Sequence, residues 1–388
     1  MFKLFCTSCT RFARLWLMCW TDTNTQPRAW PQRVGLVLAW PLFVAFQCLH
    51  WLGFGLDELL FSAYRQVQVK RPIFVVGPPR SGTTHLHHVL SQDPSTTTFS
   101  TWECLFGLSI TARKLILGMI RVDRAIGRPV ATLINWLERK VLSSMDDVHP
   151  FSLSAPEEDF LAFMPLGQCF ILVALFPSAD WLWQTARLDV DQDASARQQW
   201  LEWYQRCVQK HMFVHGSERT FLSKNASFSG SVETLLSAFP DASLMVCSRD
   251  PVKTVPSQLS SLLPALKAAG FDTFDPEFQQ QLINLLAFYY LHLADSHERH
   301  SDRMVFLDND DLRHRLAGVV RETFAALDRP ISAAFAGYLE QADATSKSSR
   351  SGHRYSLDQF GLTEADIHQQ FAEVYARYRF GSPGTVLT

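Results

Sequence analysis

Four short apolar runs stand out along the chain, at 73–76, 220–223, 244–247 and 304–307. The first three stop at a turn-forming or charged residue: Gly77, Lys224-Asn225 and Ser248-Arg249. Apolar runs of this length without alternation predict strands buried on both faces, as in a parallel sheet. Residues 232–239 carry helical spacing and end at Pro240-Asp241-Ala242, between the second and third runs. A strand–helix–strand unit with short connections is the signature of parallel pairing. Helical spacing also predicts helices over 57–64, 85–90, 194–212, 313–327 and 364–379. A largely helical stretch is expected over 102–145, broken at Gly118, Gly127 and Pro129. Pro156-Glu157-Glu158-Asp159 reads as a helix start, with proline in the first turn and acids at the positive end of the helix. It leads into an apolar helical region over 160–176, and a polar loop is expected at 343–352.

The N-terminus follows a different pattern. Residues 1–33 carry Lys3, Arg11, Arg14, Arg28 and Arg33 against a single acid, Asp22, and residues 34–56 hold no formal charge. That run has the length to span a bilayer, yet Pro41, Gln47 and His50 dilute it and Asp57-Glu58 follow at once. A helix lying on a bilayer surface or packed against the core is the favoured reading, and a spanning helix the alternative. The expected division is an apolar, basic helical arm at 1–56 and a catalytic domain at 57–388.

Composition narrows the class. The 388 residues are 47% hydrophobic and 19% charged, which supports a substantial core. A net charge of −2 lacks the cationic excess of a general nucleic-acid binder, so no nucleic-acid partner is expected. Eight scattered cysteines form no disulfide framework, which points to a reducing, cytoplasmic setting with the arm as a route to membrane association. The lone Cys6-x-x-Cys9 pair lacks a second ligand pair at zinc spacing.

Chemistry concentrates after the first strand, in Gly77-Pro78-Pro79-Arg80-Ser81-Gly82-Thr83-Thr84. A loop between a strand and a helix aims several backbone N–H groups at one point, beside the positive helix end, and so binds phosphate or sulfate oxygens. The glycine spacing copies a nucleotide-triphosphatase loop, but Thr83 stands where that loop needs lysine, and the basic residue has moved inside, to Arg80. PPRSGTT at 78–84 resembles the 5′-phosphosulfate-binding loop of the sulfotransferases that use 3′-phosphoadenosine-5′-phosphosulfate (PAPS). The family's second element, a strand followed by arginine with serine eight positions on, is matched by Arg249 and Ser257. The runs at 221–251 and 352–363 are similar to the family's lysine-containing unit and to the C-terminal segment of its bacterial-type branch.

The resemblance implies an α/β fold with a P-loop-like central parallel sheet flanked by helices. It implies PAPS as co-substrate, held by Pro79, Arg80, Ser81, Gly82, Thr83 and Thr84 at the sulfate end and by Arg249 and Ser257 at the 3′-phosphate. Arg350, with Lys347 in the basic tail loop, is expected to fold over that phosphate. No metal is required, because sulfate carries less charge than a phosphate terminus. Arg80 is assigned to the leaving-group charge, and Lys224 to a place near the transferring group. Several relatives carry histidine four residues after that lysine; this chain has Phe228. The base is therefore sought in residues 145–160, where Glu158 and His149 stand together ahead of Glu157 and Asp159. His85, His87 and His88 lack neighbouring acids or cysteines and are read as packing residues rather than metal ligands. The acceptor is a small molecule, a lipid or a glycan bearing a hydroxyl or amine. The competing functions are a P-loop-type kinase, opposed by the missing loop lysine, and a non-catalytic membrane-anchored binding protein of degenerate fold.

Overall fold

The computed structural model describes residues 1–21, 28–142, 152–348, 356–381 and 387. Two long helices come first, α1 (Phe2–Thr21) and α2 (Trp30–Leu60). Strand β1 (Ile73–Val76) passes through a loop into α3 (Thr83–Leu90) and a two-residue strand β2 (Thr96–Thr97). Helices α4 (Thr101–Phe106), α5 (Ile110–Ala125) and α6 (Pro129–Leu142) follow. Next come α7 (Asp180–Ala186), α8 (Leu188–Asp191) and α9 (Ala194–His215). The central unit is β3 (Thr220–Lys224), α10 (Val232–Ala238) and β4 (Ser243–Ser248). Helices α11 (Pro251–Ala268) and α12 (Pro276–His300) lead to β5 (Met304–Asp308). Helices α13 (Asn309–His314), α14 (Leu316–Ala326), α15 (Ala333–Ser348), α16 (Glu364–Gln370) and α17 (Ala372–Arg377) follow it.

The strands form one parallel sheet in the order β2-β3-β1-β4-β5. All four expected strands are present; β2 is too short to leave a periodic signal. Both faces of the sheet are covered, which explains the absence of alternation in the apolar runs. Phe74 and Val76 face a cluster with Trp203, Tyr204 and Phe239, while Ile73 and Val75 face Leu86, Leu90, Val320 and Phe324.

Some local expectations give way. The 156–159 segment is not a helix start: Pro156 forms an antiparallel bridge with Ser100, and only from Asp159 does the chain turn, as a 3-10 helix to Leu166. A second such turn covers Phe170–Ala174, with Gly167 left-handed between them at φ 61°. Pro165 and Gly167 thus split the apolar region that was expected to be continuous helix. Gly118 lies inside α5 rather than breaking it. Helix α15 runs to Ser348 and absorbs the first part of the expected polar loop, Lys347 included.

The N-terminal helices are built into the domain. Helix α2 crosses residue 57 without interruption, and Leu4, Phe12, Trp40 and Phe54 are buried in the main clusters. One edge of α2 is pinned by polar contacts. The Asp57 carboxylate accepts from the N–H groups of Ile110 and Thr111, both at 2.8 Å, and from Lys210 Nζ at 2.7 Å. His50 Nε2 lies 3.0 Å from the Leu105 carbonyl. Among the described residues, α2 is the helix long and apolar enough to cross a membrane by length and composition. Its outer edge exposes Leu38, Leu42, Leu49 and Leu52.

Candidate active site

Three strand ends meet at the carboxyl edge of the sheet, where ligands of open α/β folds bind. β1 lies between β3 and β4 with Val75 opposite Lys224 and Val76 opposite Val246, so the loop after β1 is flanked by Lys224 on one side and Arg249 on the other.

The backbone of that loop is specialised. Gly77 has φ 139°, and a Cβ there would stand 2.1 Å from the Cys247 carbonyl oxygen. Gly82, at φ 98°, is the N-cap of α3 and faces Asn309. Arg80 itself adopts a left-handed φ of 67°, which costs an ordinary residue of order 1 kcal/mol and marks a position where conformation serves a purpose. Gly77→Ala is expected to destabilise the fold by roughly 1–3 kcal/mol, read from the urea midpoint, because β1 and β4 must part.

The two segments singled out by the resemblance lie against each other. Arg80 Nε donates to Ser257 Oγ at 3.1 Å, and Arg249 Nη1 donates to the Arg80 carbonyl at 3.2 Å. Ser257 is buried on α11, and the Arg249 carbonyl accepts from Tyr290 Oη and, at 3.2 Å, from Thr254 Oγ1. Burial, then nearby Arg313, pulls the Arg249 guanidinium below its ordinary value, with Arg80 adding to the effect. The Ser81 hydroxyl and Arg249 Nε are buried without hydrogen-bond partners. Buried donors left unsatisfied beside clustered arginines suit an anionic ligand. Thr83 is buried, Pro79, Arg80 and Gly82 are partly exposed, and Thr84 is exposed at the start of α3. Lys253 pairs with Asp310 at 3.2 Å on the surface.

The structure separates the three carboxylates of residues 157–159. Glu157 accepts from Thr101 Oγ1 at 3.0 Å at the start of α4. Asp159 is fully buried against Tyr204, and burial raises its carboxyl to about 7. Glu158 alone turns toward the sheet edge, where Lys224 Nζ donates to it. Lys224 is buried, whereas the Glu158 side chain keeps 27% of its surface exposed, which leaves it reachable by a second molecule. His87 lies behind this pair, 2.8 Å from Thr98 Oγ1, and burial followed by the Lys224 charge holds its ring far below the usual histidine value. Phe228 packs among Phe163, Trp200 and Tyr204 in the core, so this position faces away from the sheet edge. His149 and Arg350 lie outside the described residues. Reading the sequence missed Arg313 and Asn309. Both follow β5, and the rule that ligands gather at carboxyl strand ends would have drawn attention to them.

A glycine-bearing loop and a paired arginine–serine element thus meet on one sheet edge, beside a lysine–carboxylate pair. The chain belongs to the sulfotransferase family, whose model matches residues 72–333, more than half its length. Sulfotransferase STF9 from Mycobacterium avium is similar at a TM-score of 0.74 and 20% identity, covering 98% of this chain and 97% of that one. Sulfotransferase STF1 from Mycobacterium tuberculosis H37Rv is similar at 0.69 and 19%, covering 92% and 90%. These likenesses are at the level of the fold. A search of curated proteins found no match.

Proposed function

We propose that this protein transfers a sulfuryl group from PAPS to a hydroxyl acceptor by in-line displacement. The observation that carries the reading is the direct contact of Arg80 with Ser257 and Arg249, which joins the two anion-gripping segments at one edge of the sheet. In this reading the loop amides, Ser81 and Thr83 hold the sulfate-bearing end and Arg249 with Ser257 holds the 3′-phosphate. Arg80 and Lys224 supply charge at the bridging oxygen of the leaving phosphate as it departs. Glu158 takes the proton of the acceptor hydroxyl, since its carboxylate is the reachable member of the acidic run.

A kinase reading has less support. β5 does end in an aspartate, but the Asp308 carboxylate caps α13 by accepting from Asp310 N–H at 2.8 Å. No lysine follows Gly82 to meet a triphosphate terminus. Thermal shift separates the two: 3′-phosphoadenosine-5′-phosphate should raise the melting temperature and ATP·Mg should not. Sulfur-labelled PAPS incubated with enzyme and cell extract should yield a labelled product; binding without any product would leave a non-catalytic protein. Arg249→Ala should weaken cofactor binding by roughly 1.5–3 kcal/mol, the worth of a charge-assisted bond, in a titration calorimeter. Unchanged affinity would place the 3′-phosphate elsewhere.

A further inference from the structure

Helix α5 carries apolar residues on its outer face as well as on its inner one, where Ile110 is buried and Ile116, Leu117 and Ile120 are half-buried. Its apolar residues Leu115, Met119 and Val122, with Ile126 at its C-cap, recur at steps of four, three and four, so they share one helix face, and that face is exposed. The buried positions of the same helix include the charged Arg113 and Asp123. Asp123 fixes the turn into α6: its carboxylate accepts from Val130 N–H at 2.8 Å and Ala131 N–H at 3.1 Å. Helix α6 then exposes Val130 and Leu133 at a three-residue step. The hairpin is therefore a built unit that presents its apolar side outward.

The outer edge of α2 continues this surface. Phe46 on α2 meets Phe106 at the end of α4 with ring centroids 5.8 Å apart, and Asp57 caps the start of α5. An apolar groove of about 510 Å³ between α1 and α2, lined by Phe5, Cys9, Phe12, Trp40, Val44 and Trp51, opens beside it. Charge identifies the occupant. On α1, α2, α4, α5 and the described α6 side chains, every exposed charged residue is basic: Lys3, Arg14, Lys114 (which lies over the Phe61 ring), Arg121 and Arg124, with Arg128 in the α5–α6 turn. Asp57, Glu103 and Asp123 are buried, and Glu58 is engaged with Arg65.

We propose that α2, α5 and α6 form one docking face for an anionic bilayer, lying in the plane of the membrane rather than spanning it. An apolar stripe rimmed by lysine and arginine is the pattern of interfacial helices, which bury the stripe at the headgroup boundary and attract anionic lipid. A second copy of the chain is a poorer partner, because a two-fold contact would bring like-charged rims together. Spanning is opposed by the inner edge of α2, which would have to surrender the Asp57 and His50 contacts. The face also lies near the proposed chemistry. Helix α4, six residues and so about 9 Å long, joins the α2 contact at Phe106 to its own N-terminus, where Thr101 N–H donates to Ala155 at 3.0 Å in the segment leading to Glu158.

The test is co-sedimentation of the full-length protein with phosphatidylcholine vesicles made with or without phosphatidylglycerol. Binding is expected with phosphatidylglycerol and should weaken as salt rises. The triple variant Leu115→Ser/Met119→Ser/Ile126→Ser should lose more than tenfold in partitioning, with its melting curve and cofactor binding retained. Arg121→Gln should cost roughly fivefold on the anionic vesicles. A triple variant that binds vesicles as the parent does would overturn the proposal, as would absence of binding to both compositions. A dimer that dissociates in the triple variant, without lipid binding, would assign the face to a second copy. Retention of the protein in cell membranes through alkaline carbonate extraction would show that α2 spans.

Discussion

Glu158→Gln should lower the turnover number by roughly 10²–10⁴-fold, the usual worth of a positioned general base. The amide keeps the volume of the carboxylate and can still accept from Lys224 Nζ, so the local structure should hold. It cannot take a proton. The loss should therefore fall on the chemical step, with the affinity for 3′-phosphoadenosine-5′-phosphate unchanged. Glu157→Gln should disturb activity much less, because that carboxylate is engaged with Thr101. His149→Ala belongs in the same experiment: if the large loss appears there and Glu158→Gln remains active, the base is the histidine.

Asp57→Ala should lower stability by roughly 3–5 kcal/mol, since it leaves a buried ammonium with Glu58, 3.9 Å away, as its remaining counter-charge. Lys210 is almost fully buried between the rings of Phe54 and Tyr64, and its ammonium is pushed down by burial and held up chiefly by Asp57. The change also removes the acceptor for two N–H groups at the start of α5. Denaturant titration should show a lower midpoint. The pair Asp57→Ala/Lys210→Met should recover much of the loss, because it removes the charge along with its partner. If the single variant is as stable as the parent, α2 is not seated on the domain as described, and the arm would be free to leave it.

Much of the site was legible because its geometry is local. A strand running into a glycine-bearing loop and then a helix places backbone amides by covalent connectivity alone, so Arg80, Ser81 and Thr83 could be assigned from their spacing. Arg249 and Ser257 were legible only through the resemblance to the sulfotransferase pattern; the structure sets both against Arg80, one just past a strand end and the other two turns into the next helix. The acidic run resisted such reading. Glu157, Glu158 and Asp159 have nearly the same intrinsic chemistry, and in the sequence they look like the first turn of a helix. The chain is extended there because Pro156 pairs with Ser100, and that pairing sends the three carboxylates to a helix start, a sheet edge and the core.

Phe228 teaches the same lesson. Its departure from the family pattern was visible in the sequence, but its place among Phe163, Trp200 and Tyr204 was not. The exposed apolar stripe of α5 was equally hidden, since spacing shows that a helix has an apolar face and not which way the face turns.

The sequence by itself determined the strands of the parallel sheet and the glycine-bearing loop after the first of them, because these depend on short-range periodicity and on the chain's own turns; the distant arginine–serine pair was legible only as a family resemblance. Tertiary structure alone decided which carboxylate meets Lys224, that Asp57 ties α2 to the domain, and that an apolar stripe faces outward. Those outcomes depend on which segments remote in the chain bury one another, and burial sets both the reach and the charge of a side chain.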